Sequence, residues 1–294
     1  MRYVSFTTNR DGTGNSAAGI LESPSRVRAF RSGISLEAFI ALQPARRAEQ
    51  LKSLDESLSL DAVRLLAPLH PHKNVFCVGR NYLAHAEEGA RARGQELKLP
   101  DVPTFFSKAP TAIANPDEAL ELDPAISSEY DWEAELGVII GKRCRDVPEA
   151  DALDAIFGYT CCNDVTARDL QKAHVQWFKG KTLDQTCPLG PWIVDADEVG
   201  DPQKLEISLT VNGVEKQHSN TKNMIFPIRT IIASLSRGMT LEPGDIIATG
   251  TPEGVGFART PPEFLADGDV MEIDIEKVGK LRNAVRLRAP AGVR

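Results

Sequence analysis

No stretch of the chain carries the roughly 18 uninterrupted apolar residues that mark a membrane-spanning helix, so no membrane partner is expected. The opening MRYVSFTTNRDG lacks the apolar core of a secretory signal. Basic charge is also short. Lys and Arg number 34 against 41 Asp and Glu, a net charge of −7, with no basic run beyond pieces such as Arg91–Arg93. Nucleic-acid binders present a basic face, so no nucleic-acid partner is expected. Mild acidity leaves small anionic substrates open, because a metal ion and a few arginines set the local field. Five cysteines (Cys77, Cys144, Cys161, Cys162, Cys187) make an odd count without CxxC spacing. That favours buried free thiols in a reducing cytoplasm over a disulfide framework. No GxGxxG follows a strand pattern, which disfavours a dinucleotide-using oxidoreductase. Internal repeats and low-complexity tracts are lacking too.

What remains is an ordinary globular composition, 42% hydrophobic and 26% charged over 294 residues. Residues 1–67 read as a small α+β unit. Arg2–Thr7 fits a strand, Asn9–Asn15 is turn-rich, and Ala18–Leu21 fits a second strand. Leu36–Leu66 has helical composition, with Ser35 and Ser53 as N-cap candidates. LAPLHPHKN (66–74) reads as a linker into a second domain, 68–294. There the texture turns to strands: Val75–Gly79, Ala134–Ile140, Leu205–Val211, Val214–His218, Ile246–Thr249 and Val270–Glu276. Asn212-Gly213 is a hairpin signal, and the spacing of Ile228, Ile231, Ile232 and Leu235 predicts a helix over Pro227–Ser236. The expected class is mixed α/β dominated by β-structure.

Acidic residues supply the sharpest local feature. In DWEAELG, Glu133 and Glu135 stand two apart, so on a strand they share a face. Two such carboxylates repel unless a cation or proton lies between them; an ordinary solvated strand edge is the competing reading. Asp164, in CCNDVTARDLQ, is a third acid at what reads as a helix start, where a plain N-cap is the alternative. Three oxygen ligands without His or Cys suit a hard ion, Mg²⁺ or Mn²⁺, with Ca²⁺ also accepted, rather than zinc. A lysine in the aromatic WFKGK stretch is by itself better read as a snorkelling surface residue. The ATGTPEGVG turn offers amides and the Thr251 hydroxyl for an anion such as a carboxylate, or is simply a tight turn. His85 and Glu88 at i and i+3 can form a water-activating pair or a surface ion pair.

The order of VFCVGRNYLAHAEE, FFSKAPTAI, DWEAELGVIIGK, GYTCCNDVTARDLQ, KGKTLDQTCPLGPW, MIFPIRTIIASLSRGMTLEPGDIIATGTPEGVG and GDVMEIDIEKVGKLRNAV resembles the fumarylacetoacetate hydrolase family over about residues 74–285. Residues 1–67 look like the small extra domain of its longer members. The resemblance implies a fumarylacetoacetase-type β-roll or sandwich, a homodimer, and a metal held by Glu133, Glu135 and Asp164. It assigns catalysis to the His85–Glu88 dyad and to Lys181, and substrate contact to Arg80, Tyr82, Arg168, Gln171, Gly250 and Thr251. It implies hydrolysis of a C–C bond in a 2,4-dioxo acid of the acylpyruvate or fumarylpyruvate type, with pyruvate leaving as its enolate. The same site in the family serves oxaloacetate decarboxylation or tautomerisation and isomerisation of 2-hydroxy-dienedioates; an inactive metal-binding relative is a further alternative. Arg259 and the TPPEF stretch (260–264) are candidates for a specificity or dimer loop, or plain surface.

Overall fold

The computed structural model describes residues 1–9 and 16–288. The chain opens with strands β1 (Arg2–Thr7), β2 (Ala17–Ser23) and β3 (Arg26–Ala29), helices α1 (Leu36–Ala41) and α2 (Pro44–Lys52), and strands β4 (Leu58–Ser59) and β5 (Arg64–Leu66). Next come β6 (Val75–Gly79), α3 (Leu83–Ala92), β7 (Thr104–Lys108), β8 (Ile113–Ala114), β9 (Leu120–Leu122) and β10 (Tyr130–Asp131). The middle holds β11 (Ala134–Ile140), β12 (Ile156–Asn163), β13 (Thr166–Ala167), α4 (Arg168–Ala173), α5 (Phe178–Lys181), β14 (Cys187–Asp195) and α6 (Ala196–Val199). Strands β15 (Glu206–Val211) and β16 (Val214–Asn220), helix α7 (Ile228–Ser236), and strands β17 (Ile246–Ala248), β18 (Val270–Ile275) and β19 (Gly279–Leu287) follow.

Strand-dominated structure is what the alternating and apolar runs predict, and the strands form two main sheets. The larger runs β4-β3-β2-β1-β14-β12-β11-β17-β6-β7, and the smaller β16-β15-β18-β19-β9. In the smaller sheet β15 and β18 bury every second residue, as a one-sided strand should. Strand β11 differs: all seven residues are buried, because it lies between β12 and β17 with apolar layers on both faces. Leu136, Val138 and Ile140 join the core made with Ile207, Leu209, Ile273 and α7. Ile139, on the opposite face, joins Tyr3, Phe39, Ile246 and Ala248. Glu135 shares that second face, so its carboxylate is carried into the interior by the strand itself.

Residues 1–67 extend the larger sheet through the pairing of β1 with β14. Helix α1 begins at Ser35, whose side chain accepts from the Ala38 amide. The helical reading of 53–66 is corrected. Ser53 ends α2 rather than starting a helix, and β4 and β5 pair with β3 and β1. Sheet pairing there overrides the local helical preference. Of the Asn9–Asn15 turn, all but Asn9 lies outside the described residues. Val75–Gly79, Ala134–Ile140 and the Asn212-Gly213 hairpin fall where the pattern puts them, with Pro227 capping α7.

Candidate active site

Glu133 lies one residue before β11 and Glu135 is the second residue within it, both nearly inaccessible to solvent. Asp164 follows β12 in the turn to β13, where its amide donates to the Glu133 carbonyl at 2.9 Å. This corrects the reading of Asp164 as a helix start: α4 begins four residues later, and a short ribbon of β10 with β13 intervenes. That ribbon brings the two acidic segments together. One oxygen from each of Glu133, Glu135 and Asp164 lies within 4.8 Å of the others.

Cations brace this cluster from behind and from the side. Lys181 Nζ donates to Glu133 Oε2 at 2.8 Å and Asp164 Oδ2 at 2.6 Å, and sits 5.0 Å from the centre of the Phe106 ring. Lys181 is 2% exposed, so the surface reading is overturned for this lysine, while Phe178 and Lys179 in the same stretch stay exposed. Arg168 grips Asp131 through Nε and Glu133 Oε1 through Nη2, each at 2.6 Å. Lys108, wholly buried, donates to Asp164 Oδ1 at 2.7 Å and to the Val165 carbonyl at 3.0 Å. Burial works against the charge on Glu133, but Lys181, Arg168 and His85 outweigh it and hold that carboxyl well below the usual range. Glu135 goes the other way: burial, then Asp164 and Glu133, push it well up. Its only hydrogen bond among the described residues comes from the Gly250 amide at 2.9 Å, and it makes no ion pair.

The second group of the site is the helix pair. His85 Nδ1 lies 2.9 Å from Glu88 Oε1 on the inward face of α3, and both are buried. The Gly254 amide donates to Glu88 Oε2 at 2.9 Å. The ATGTPEGVG amides at Gly250 and Gly254 therefore hold the protein's own carboxylates, which corrects the expectation that they stand exposed for a ligand. Gly250 has φ 98°, and a Cβ there would stand 2.6 Å from the Asn81 side chain, so only glycine passes this point without strain.

A cleft of about 430 Å³, measured with its open mouth, is lined by His85, Glu133, Glu135 and Lys181, together with Arg80, Gln171 and Thr251. Thr251 Oγ1 accepts from Gln217 Nε2 at 2.8 Å, which leaves the hydroxyl proton for another acceptor. Arg168 and Tyr82 are not on this lining. Arg168 stands behind Glu133, and Gln171 is tied to it at 3.1 Å. Tyr82 is buried with no hydrogen-bond partner for its hydroxyl among the described residues. Lys108, Asp131 and Arg93 are the site groups that reading the residues one by one passes over. A lysine inside the apolar FFSKAPTAI was the available signal for the first.

The donor set fits a hard divalent ion. Four buried carboxylates (Asp131, Glu133, Glu135, Asp164) face three buried cations (Lys108, Lys181, Arg168), and the carboxylate without an ion pair is a member of the triad. A strand-built fold with such a triad beside a buried lysine and a His–Glu pair is the frame of an enzyme that acts on a small molecule at a divalent-ion site. Residues 74–286 match the family described as fumarylacetoacetate (FAA) hydrolase C-terminal, and the chain belongs to that family of enzymes. It is 45% identical over 228 residues to oxaloacetate tautomerase YisK of Bacillus subtilis, covering 77% of this chain and 74% of that protein. It is 40% identical over 274 residues to 2,4-didehydro-3-deoxy-L-rhamnonate hydrolase of Sphingomonas sp., covering 92% and 93%. A solved fumarylacetoacetate hydrolase from Exiguobacterium antarcticum superposes with TM-score 0.82 at 41% identity, covering 98% of this chain and 100% of that one.

Proposed function

We propose that the protein hydrolyses a C–C bond in a 2,4-dioxo acid of the acylpyruvate type, with Mg²⁺ or Mn²⁺ held by Glu133, Glu135 and Asp164. The observation that carries this reading is His85, backed by Glu88 at 2.9 Å and lining the same cleft as Glu133, Glu135 and Lys181. A divalent ion at the triad supplies Lewis-acid polarisation of the 2-oxo group and its carboxylate.

The chain's own residues carry the remaining steps. Glu88, fixed by the Gly254 amide, holds Nδ1 of His85 and leaves Nε2 to take a proton from water. The water oxygen attacks the C4 carbonyl, the C3–C4 bond breaks, and its electron pair goes to C3 as the enolate of pyruvate. Lys181 places positive charge where that negative charge develops. Thr251 offers its hydroxyl to the substrate carboxylate, His85 releases its proton to solvent water, and C3 takes its proton from there. Support also comes from the Sphingomonas relative, whose name describes a hydrolase of an acid oxidised at C2 and C4.

A second reading, keto–enol tautomerisation of oxaloacetate, is favoured by the names of the relatives from Bacillus subtilis and Xenopus laevis. It uses the same proton transfer at C3 without water attack; decarboxylation or dienedioate isomerisation would share the enolate. We place the enzyme in a reducing cytoplasm, supported by five free cysteines. Homodimerisation is supported by the edge strand β7 and by exposed Val175 and Phe178 near it.

Product NMR on the Mg²⁺-loaded protein tests the choice, with acetylpyruvate, fumarylpyruvate and oxaloacetate in parallel tubes. Pyruvate with acetate or fumarate supports hydrolysis. Faster enol–keto conversion of oxaloacetate without cleavage of the others overturns it in favour of the tautomerase. No change in any tube overturns both.

A further inference from the structure

Two guanidinium groups at the cleft mouth stand without acidic partners. Among the described residues, neither Arg80 nor Arg93 makes an ion pair, whereas Arg168 beside them makes two. Both line the cleft that contains Glu133, Glu135 and Lys181. With Ala86 they also line an adjoining groove of about 800 Å³. The way out from the triad therefore passes these two arginines.

Each is held in place by something other than a counter-charge. Arg93 lies 4.9 Å over the Phe257 ring and donates through Nη1 to the Gly89 carbonyl at 3.0 Å. A Cβ on Gly89 would stand 3.0 Å from that same nitrogen, so glycine makes room for the fold-back. Arg80 has φ 55°, a left-handed backbone that a non-glycine residue adopts at a cost, and its guanidinium lies 5.4 Å over Trp177. Stacking on an aromatic face leaves the in-plane N–H groups of a guanidinium free for a carboxylate. Removal from water, then the charges of Arg80 and Arg168, press Arg93 below the ordinary guanidinium range. An anion between the two arginines would relieve that repulsion.

We infer that Arg93, acting with Arg80, is a specificity-determining residue that reads the far end of the substrate and selects 2-oxo acids ending in a second carboxylate. This rests on the proposed reading of the triad end as the 2-oxo acid site, and it adds what that reading leaves open: the charge of the group beyond the reacting carbons. Charge-assisted hydrogen bonds to a carboxylate amount to roughly ten- to hundredfold in affinity.

The test is titration calorimetry of the Mg²⁺-loaded protein with 2-oxoglutarate and 2-oxopentanoate, which share a carbon chain and differ in the terminal carboxylate. The parent protein is expected to bind the dianion at least about tenfold more tightly. Arg93→Gln should bring that ratio toward one, and Arg93→Lys should keep part of it. A parent ratio near one, or a ratio untouched by Arg93→Gln, overturns the inference while leaving the 2-oxo acid reading standing if both acids bind. Binding of the dianion alone, lost in Arg93→Gln, supports the arginine pair and sinks the triad reading instead. Binding of neither acid overturns both.

Discussion

Lys108→Met removes a charge from the deepest part of the site while keeping the stem that packs there. Lys108 is fully buried, and its ammonium is shared between Asp164 Oδ1 at 2.7 Å and the Val165 carbonyl at 3.0 Å. Breaking a buried pair from one side costs about 3–5 kcal/mol, because the remaining charge is left without its partner. Asp164 keeps Lys181 on its other oxygen at 2.6 Å, so the low end applies, about 3 kcal/mol. At roughly 2–4 °C per kcal/mol for a chain of this size, the midpoint of thermal unfolding should fall by about 6–12 °C. Circular dichroism melts in the presence of a chelator read this directly. The double variant Lys108→Met/Asp164→Asn should recover part of the loss, since it removes the stranded charge as well. A single variant melting within about 2 °C of the parent, or a double variant that loses the sum of both singles, would refute the assignment of Lys108 as the partner of Asp164.

Three further outcomes follow from the same geometry. Glu135→Gln and Asp164→Asn should each abolish turnover and Mg²⁺ binding by calorimetry while the far-ultraviolet spectrum stays native; undiminished Mg²⁺ binding in either would sink the triad as the ion's site. His85→Ala should cut acylpyruvate cleavage by about two to four orders of magnitude yet leave exchange of the C3 protons into D₂O less affected, as followed by proton NMR. Equal loss of both would mean that His85 does not act mainly on water. Gly250→Ala should destabilise the fold by about 1–3 kcal/mol in urea melts, because its φ is 98° and its Cβ would meet Asn81 at 2.6 Å.

The strands with a strong apolar or alternating run are the readily legible part of the fold, because that signal is local; β3, β7, β14 and β19 are not marked this way. Ala134–Ile140 and Val75–Gly79 are bounded as their apolar runs predict, and Asn212-Gly213 marks its hairpin. Residues 53–66 depart from the helical expectation because their composition is only a weak local preference, while their strand pairing is with residues some thirty to sixty positions earlier. Within the site, the shared face of Glu133 and Glu135 follows from a period of two along a strand. Their neighbour Asp164 cannot be placed that way, since it reaches them through the pairings of β11 with β12 and β10 with β13 on either side of it. Lys181 reads as surface from its local sequence because nothing in WFKGK reveals that two carboxylates lie 2.6 and 2.8 Å away. A lysine's burial is decided by partners elsewhere in the chain, so it is legible only once those partners are in place.

The arrangement of charges argues for a site organised around chemistry as much as stability. A core gains little from four buried carboxylates and three buried cations, since apolar residues of similar volume commonly stabilise as well or better. Each cation here has a defined place. Lys108 and Arg168 hold one oxygen each of Asp164 and Glu133, and Lys181 holds the other oxygen of both. Glu135 receives only a backbone amide, so the one carboxyl of the cluster without a cationic partner is the one that lines the cleft. A divalent cation would complete this set, and on the proposed reading a chelating acid would meet a frame whose ligands are already fixed. That fixing is what a preorganised site requires, and it accounts for the buried charges Lys108, Asp131, Glu133, Glu135, Asp164, Arg168 and Lys181 being gathered in one place.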